Sequence, residues 1–567
     1  MRSKPALALA ILAAAALSDA STYFLSPSGK DTNSGVSPAT AWKTLARAQN
    51  QTYLPGDKLL LQGGSTFAGA LFVKTPDFTV GSYGTGKATI SAGAGTGIFV
   101  YDVGGVSLQN LVVEGSWSAA KQSGSTGYGV DAFNDLSGAT KLHGLLLYNV
   151  EVKGFMQAGI FVGGYPKDGT KSGFTNVTIN RCSVHDNGQI GICVYGYFNE
   201  AATSYANSDV VIENCVIYQN LGVAAFTSNH TGDGVILSDT LTGVIQNCIS
   251  HDNGVLNTST SGPCGIWTFD SCGVTIQYNE SYNNHTSSGA DGDGFDIDGG
   301  SVGCTLQYNY SHGNDGCGYL FAEFPGARAF RNNTIRYNIS QNDGRKNSYG
   351  GIIVWNGEAG IGNSYIYNNT IYVIPSTNGN PSALGVSTPG VDVLVANNIF
   401  QTTEDVALVV LTGPQSGLRL QSNCYWTGNT GTRFYWNGAE YTSLAAWQSA
   451  TGEEMSGRSS TALFENPMLV APGLEGTTAL AYEPSALGDY RLRSGSPLIG
   501  AGLDLKSLHG LNVGATDYFG VPISTPETVG ASIYQTPAPQ HVVLSAAVHH
   551  RLDKTISRFP GLTGEID

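Results

Sequence analysis

The sequence predicts an all-β chain: a right-handed parallel β-helix with a covered N-terminal end and a C-terminal capping segment. Three observations carry this. Composition comes first: 567 residues include 75 glycines, only 13% are charged, and the formal net charge is −15. Low charge with abundant Gly, Asn, Ser and Thr suits stacked β coils better than helices. Second is a repeat. VTINRC182, VVIENC215, GVIQNC248, VTIQYN279, CTLQYN309, NTIRYN338, SYIYNN369, VLVANN398 and LRLQSN423 align at intervals of 33, 33, 31, 30, 29, 31, 29 and 25 residues. Leucine-rich repeats need a leucine pattern that is missing, and propeller blades need about 40 residues or more. Third, Phe295 to Asp298 alternates apolar and acidic residues, the period of a strand with one buried face.

The elements follow in order. Residues 1–20 read as a secretory signal: Arg2 and Lys4, the apolar run 6–17, and small residues at Ser18 and Ala20. The mature protein is then expected to be exported, soluble and free of the membrane. Residues 21–100 read as an N-terminal cap and the first coils, because an uncovered first coil would expose core and strand edge. Residues 101–425 read as the helix body, 426–540 as a C-terminal capping segment rich in Tyr and Trp, and 541–567 as a tail of unassigned role.

Stacking makes like residues meet. Cys182, Cys215 and Cys248 are expected in one internal column with Asn279, Asn309, Asn338, Asn369 and Asn398. Asn187, Asn220, Asn253, Asn284 and Asn314 form a second ladder, and His185, Tyr218, His251, Tyr282 and His312 an aromatic stack. The column periodicity accounts for these histidines without a metal. Nine cysteines with no zinc spacing imply few disulfides.

Function is expected around Gly289-Ala-Asp291-Gly-Asp293-Gly-Phe-Asp296-Ile-Asp298-Gly-Gly300. On strand parity Phe295 and Ile297 point inward, and Asp296 and Asp298 outward. Trp267 and Phe269 flank the pair from the preceding coil, Trp355 lies two coils on, and Asp270, Glu323 and Asn356 stand just past the strands. Clustered carboxylates are costly unless a metal, a shared proton or a substrate uses them. Exposed aromatics beside them suit a carbohydrate. The acidic balance argues against nucleic acid. A polysaccharide substrate and a monomeric enzyme are expected, with Asp296 and Asp298 as the catalytic pair, Asp270 and Glu323 as alternates, and Trp267, Phe269, Trp355 and Asn356 binding substrate.

The segment from GIWTFD270 through DGDGFDIDGG to CGYLF321 resembles the central coils of family 9 pectate lyases, and the opening and closing segments resemble those of secreted bacterial β-helix proteins. The resemblance implies a calcium site at Asp270, Asp293 and Asp296, with Asp291 compensating for Gly292 where the family motif has Asp. It also implies a catalytic lysine, whose place is taken by Leu320. Two enzyme classes therefore stay open. One is a glycoside hydrolase using paired carboxylates; the other is a calcium-dependent lyase with Arg331, Arg345 or Lys346 as base. A non-catalytic glycan-binding helix is the third reading.

Overall fold

The computed structural model describes residues 20–534, except 358–359, 388–389, 414–415, 429–430, 475 and 479. The expected signal and the tail 541–567 lie outside the described residues. No helix among the described residues is long and apolar enough to cross a membrane.

Within the described residues three long parallel sheets of 15, 14 and 13 strands wind around one core, and the chain visits them in turn. We name them first (containing Cys272–Gln277), second (Glu280–Tyr282) and third (Asp293–Ile297). Each strand pairs with the equivalent strand one coil later, so core residues stack: Ile192 on Val235, Ile266 on Phe295, Tyr319 on Ile352.

The turn from the first to the second sheet explains the marker Asn. The preceding residue adopts a left-handed conformation in every coil of the repeat, from Arg181 (φ 54°) through Tyr278, Tyr308 and Tyr337 to Ser422. That bend is unfavourable for a tyrosine, and the buried marker secures it. Asn309 Oδ1 accepts both the backbone N–H and Nδ2 of Asn279, while Asn309 Nδ2 donates to Asn338 Oδ1 and to the Ile276 carbonyl. At the N-terminal end of the column thiols replace amides, and Cys182, Cys215 and Cys248 donate to backbone carbonyls. The second ladder runs from Asn187 to Asn314 and ends on Asp343. The rings His185, Tyr218, His251, Tyr282 and His312 stack at 4.5–5.2 Å between centroids. All nine cysteines are free thiols.

The C-terminal segment does two things. Helix Leu444–Thr451 closes the end of the core, with Trp447 fully buried and stacked 4.9 Å from Phe434. Residues 463–534 instead turn back along the coils. Leu487, Tyr490, Leu498 and Tyr518 bury a second apolar cluster against Tyr308, Tyr337 and Tyr367. This leaves the outer face of the third sheet clear of the C-terminal segment's core.

Candidate functional site

The third sheet carries the acids. Along the coils, register sets Ile236, Trp267, Asp296, Leu320 and Ile353 side by side. The next outward column runs Ser238, Phe269, Asp298, Ala322 and Trp355, with Asp298 placed by its N–H bond to the Thr268 carbonyl. Trp355 is therefore two coils, roughly 10 Å, from Asp298. Small, buried Ala322 lies between them, and Trp355 is 39% exposed.

Parity does not equal access. Asp296 points outward but is 2% exposed, and its Oδ1 has no hydrogen-bond partner. Trp267 and Leu320 flank it and are themselves buried. Burial, then the charges of Asp298, Asp293 and Asp291, hold its carboxyl well above the usual range. Asp293 is also fully buried and raised; it accepts the Cys317 N–H, tying one coil to the next. Burial thus disfavours the charged form of both, beneath the surface. Of the cluster, Asp291 and Asp298 are half-buried and reach solvent.

Seven fully extended residues separate Cα atoms by roughly 23 Å, yet the charges of Asp291 and Asp298 act on each other. Asp291 (φ 48°) and Gly292 (φ 87°) are consecutive left-handed residues ahead of the strand Asp293–Ile297. They set the Asp291 carboxylate at the start of the strands, against Gly262, its in-register neighbour one coil earlier. Tyr349 Oη donates to Asp291 Oδ1 at 2.8 Å, and the Gly262 N–H to Oδ2 at 2.9 Å. Burial still raises Asp291. Asp298 is pushed up to about 6, by burial first and then by Asp291, while the Gly299 N–H and His230 draw it down.

His230 and Asp233 complete the site. His230 Nδ1 lies 2.6 Å from Asp233 Oδ2, and Trp267 Nε1 donates to Asp233 Oδ1 at 3.0 Å. The imidazole packs edge-on to Trp267 at 5.1 Å. Burial opposes its charge, but Asp233, Asp291 and Asp298 outweigh burial, so its pKa is raised. The three acids thus favour the protonated form of this imidazole.

The remaining expected residues sit elsewhere. Asp293 is paired with Cys264, and Asp270 lies six residues beyond Cys264, roughly 20 Å along the strand. The donor set Asp270, Asp291, Asp293 and Asp296 therefore does not converge, and no group of three metal-ligating side chains occurs among the described residues. Asp270 is 1% exposed and belongs to a buried ion network. Burial lifts it to about 6, against the pull of Arg328. Arg328 bonds its side chain and carbonyl, and Lys171 Nζ lies 3.6 Å from Asp270 and 2.6 Å from Asp239. Arg328 also donates to the Ala202 and Ser204 carbonyls, fastening two long loops to the helix. Asp270 thus anchors this ion network at the far end of the strand from Asp293.

Glu323 is fully buried and neither oxygen has a hydrogen-bond partner, so a substrate does not touch it. Asn356 is buried beside it, and its Oδ1 accepts the Gly360 N–H. Trp267 is buried and Phe269 half-buried, the two rings stacked at 5.2 Å. The bases considered for a lyase are placed elsewhere. Arg345 bonds the carbonyls of Asp343, Ile374 and Pro375, Lys346 bonds the Thr286 carbonyl, and Arg331 is exposed beside the first sheet. Leu320, in the lysine's place, is buried.

Sequence reasoning missed His230, Asp233 and Tyr349. Asp233 had a signal: Gly232-Asp233-Gly234 repeats Gly292-Asp293-Gly294 two coils earlier. His230 and Tyr349 lie in loops outside any period.

Comparison with known proteins agrees with this architecture. The family model described as right handed beta helix region matches residues 85–371. Lacto-N-biosidase of Bifidobacterium longum subsp. longum is 26% identical over 450 residues, covering 63% of this chain and 27% of that protein. The chain thus spans about a quarter of the length of that curated relative. The solved GH136 lacto-N-biosidase from Eubacterium ramulus superposes with a TM-score of 0.50 at 16% identity, over 72% of this chain and 68% of that one. Pectate lyase Pel9A gives a TM-score of 0.39 at 15% identity, over 92% and 98%. At these identities the structural likenesses speak to the fold alone.

Proposed function

The chain belongs to the right-handed β-helix family, and from that premise we propose that it is a glycoside hydrolase acting through Asp291 and Asp298. One observation carries the reading. Of the four clustered acids, these two reach solvent, feel each other's charge and share the facing His230. Hydrolysis of a glycosidic bond needs one carboxylic acid to protonate the leaving oxygen and one carboxylate as nucleophile or general base. The site supplies that split. Burial raises both acids and the charge of Asp291 adds to the rise of Asp298, so the pair favours one negative charge over two, with His230 drawing both toward the charged form. Asp293 and Asp296 lie beneath, where burial disfavours their charged forms. Trp355 and Phe269 border Asp298 and offer ring surface to a sugar.

The kinship with a lacto-N-biosidase supports glycosidic hydrolysis and makes an aryl lacto-N-bioside the first substrate to test. The lyase reading has less support, because no Lys or Arg among the residues considered as its base stands at the acids. In the test, Asp291→Asn and Asp298→Asn are each assayed for new reducing ends and for ultraviolet absorbance from a new double bond. Loss of at least about a thousandfold in reducing-end release, with unchanged circular dichroism, is expected of each. Near-normal turnover by either variant refutes the assignment, and absorbance gain in the parent protein makes it a lyase.

A further inference from the structure

The outer face of the third sheet continues well beyond the acids. One column of side chains runs Asp131, Phe161, Cys193, Ile236, Trp267 and Asp296. Asp131 is therefore five coils, roughly 24 Å, from Asp296. Around it the surface is aromatic. Tyr128 stacks on Phe161 at 4.7 Å, and Phe161 on Tyr195 at 4.0 Å. Tyr195 reaches over Gly163, where an added Cβ would lie 2.7 Å from its ring. All three rings are half-buried, so part of each faces solvent.

In the middle of this frame Asp131 Oδ1 is buried with no hydrogen-bond partner. Burial alone lifts the carboxyl to about 7, and no cation offsets it. An aromatic cover for the sheet has no need of such a group: an apolar residue would pack there without the desolvation cost. Oδ1 itself is closed off, but Asp131 as a whole is half-buried like the rings beside it, and a part-exposed carboxyl among ring faces is what a sugar hydroxyl with its C–H face satisfies. The absence of a neighbouring cation disfavours an acidic sugar. The surface is also continuous with the acids. Just past these strands Tyr165 is 54% exposed and Phe198 is 42% exposed. Phe198 lies 6.1 Å from Phe324, which lies 6.4 Å from Phe269.

We propose that Asp131, Tyr128 and Tyr195 form a distal subsite for a neutral, hydroxyl-rich sugar, holding a glycan on the same face as the acids but five coils away. It rests on the hydrolase reading only for the class of ligand. The test uses the full chain made inactive by Asp291→Asn with Asp298→Asn, and probes it with a printed array of neutral oligosaccharides. Asp131→Leu and Tyr195→Ala are added singly to that background. Asp131→Leu removes a buried polar group, so the fold is not at risk and its melting temperature is expected to hold or rise. Binding of a subset of the array is expected, weakened about tenfold by either substitution, as loss of a carboxylate hydrogen bond or a stacking ring implies. Binding indifferent to both substitutions, or no binding to any neutral glycan, overturns the subsite. The hydrolase reading fails separately, if single Asp291→Asn or Asp298→Asn proteins with Asp131 intact still release reducing ends.

Discussion

Replacing Glu323 by Gln should make the protein more stable at pH 8 and slightly less stable at pH 4. The wild-type carboxyl is fully buried without a hydrogen-bond partner, and burial lifts it from 4.5 to about 8, with a further push from Asp298 and a small offset from the Gly300 backbone. The folded state therefore keeps a proton that the unfolded chain gives up. Below pH 4.5 both states are protonated and there is no penalty. Between pH 4.5 and 8 the unfolded chain ionises and the folded one does not, so stability falls with rising pH. At 1.36 kcal/mol per unit the loss reaches at most ~5 kcal/mol near pH 8. Gln removes this slope but buries an amide with one more unmet donor, costing about 1–2 kcal/mol at every pH. The two stabilities should cross near pH 6 and differ by about 3 kcal/mol at pH 8. Urea melts of both proteins at half-unit intervals from pH 4 to 8.5 measure this, and the difference cancels groups common to both. A difference that stays flat across that range refutes the argument that Glu323 is buried neutral. Repeating the pair in an Asp298→Asn background should shorten the pH range over which stability falls, since Asp298 supplies part of the shift.

Three further outcomes are expected. Because Asp298 titrates near 6 and His230 draws it down, kcat/KM against pH should turn near pH 6, and His230→Gln should move that turn upward. Asn309→Ala should cost about 3–5 kcal/mol by urea denaturation, since it strands the backbone N–H and one Nδ2 hydrogen of Asn279 and uncovers the Ile276 carbonyl. Arg328→Met should destabilise by about 3–5 kcal/mol by leaving Asp270 uncompensated, and speed proteolysis in residues 199–205, whereas Arg328→Met with Asp270→Leu should recover most of that loss.

What the sequence made legible was whatever the stacking repeats. The Asn and Cys column, the second Asn ladder, the ring stack and the inward or outward sense of each third-sheet residue follow from coils that place like on like. What it hid was lateral position and cover. Asp270 seemed to stand beside Asp293 because both flank a strand one coil apart. Coil lengths differ, however, and pairing of Cys264 with Asp293 puts Asp270 at the opposite end. Asp296 has outward parity, but Trp267 and Leu320 on adjacent coils enclose it. Conversely Asp291 precedes the strand and gave no periodic signal, yet it reaches the open side. His230 and Tyr349 come from loops whose paths no repeat encodes.

The turn at Gly292 is where this chain departs from the lyase-like motif. The family 9 pattern has Asp at this position, and at φ 87° an L side chain is strained. Glycine lets the chain double back, and the carboxylate that would have sat at 292 is supplied from 291 instead, held by Tyr349 and the Gly262 amide. A ligand set for a cation needs its oxygens directed at one point between coils. Here the Asp291 carboxylate is held at the start of the strand, and its charge reaches both Asp298 and His230. On the hydrolase reading proposed above, two part-exposed acids beside one histidine suit proton transfer and attack at a single bond. On that reading Gly at 292, the buried Leu320 and the His230–Asp233 pair together favour acids that divide a proton over acids that hold a metal.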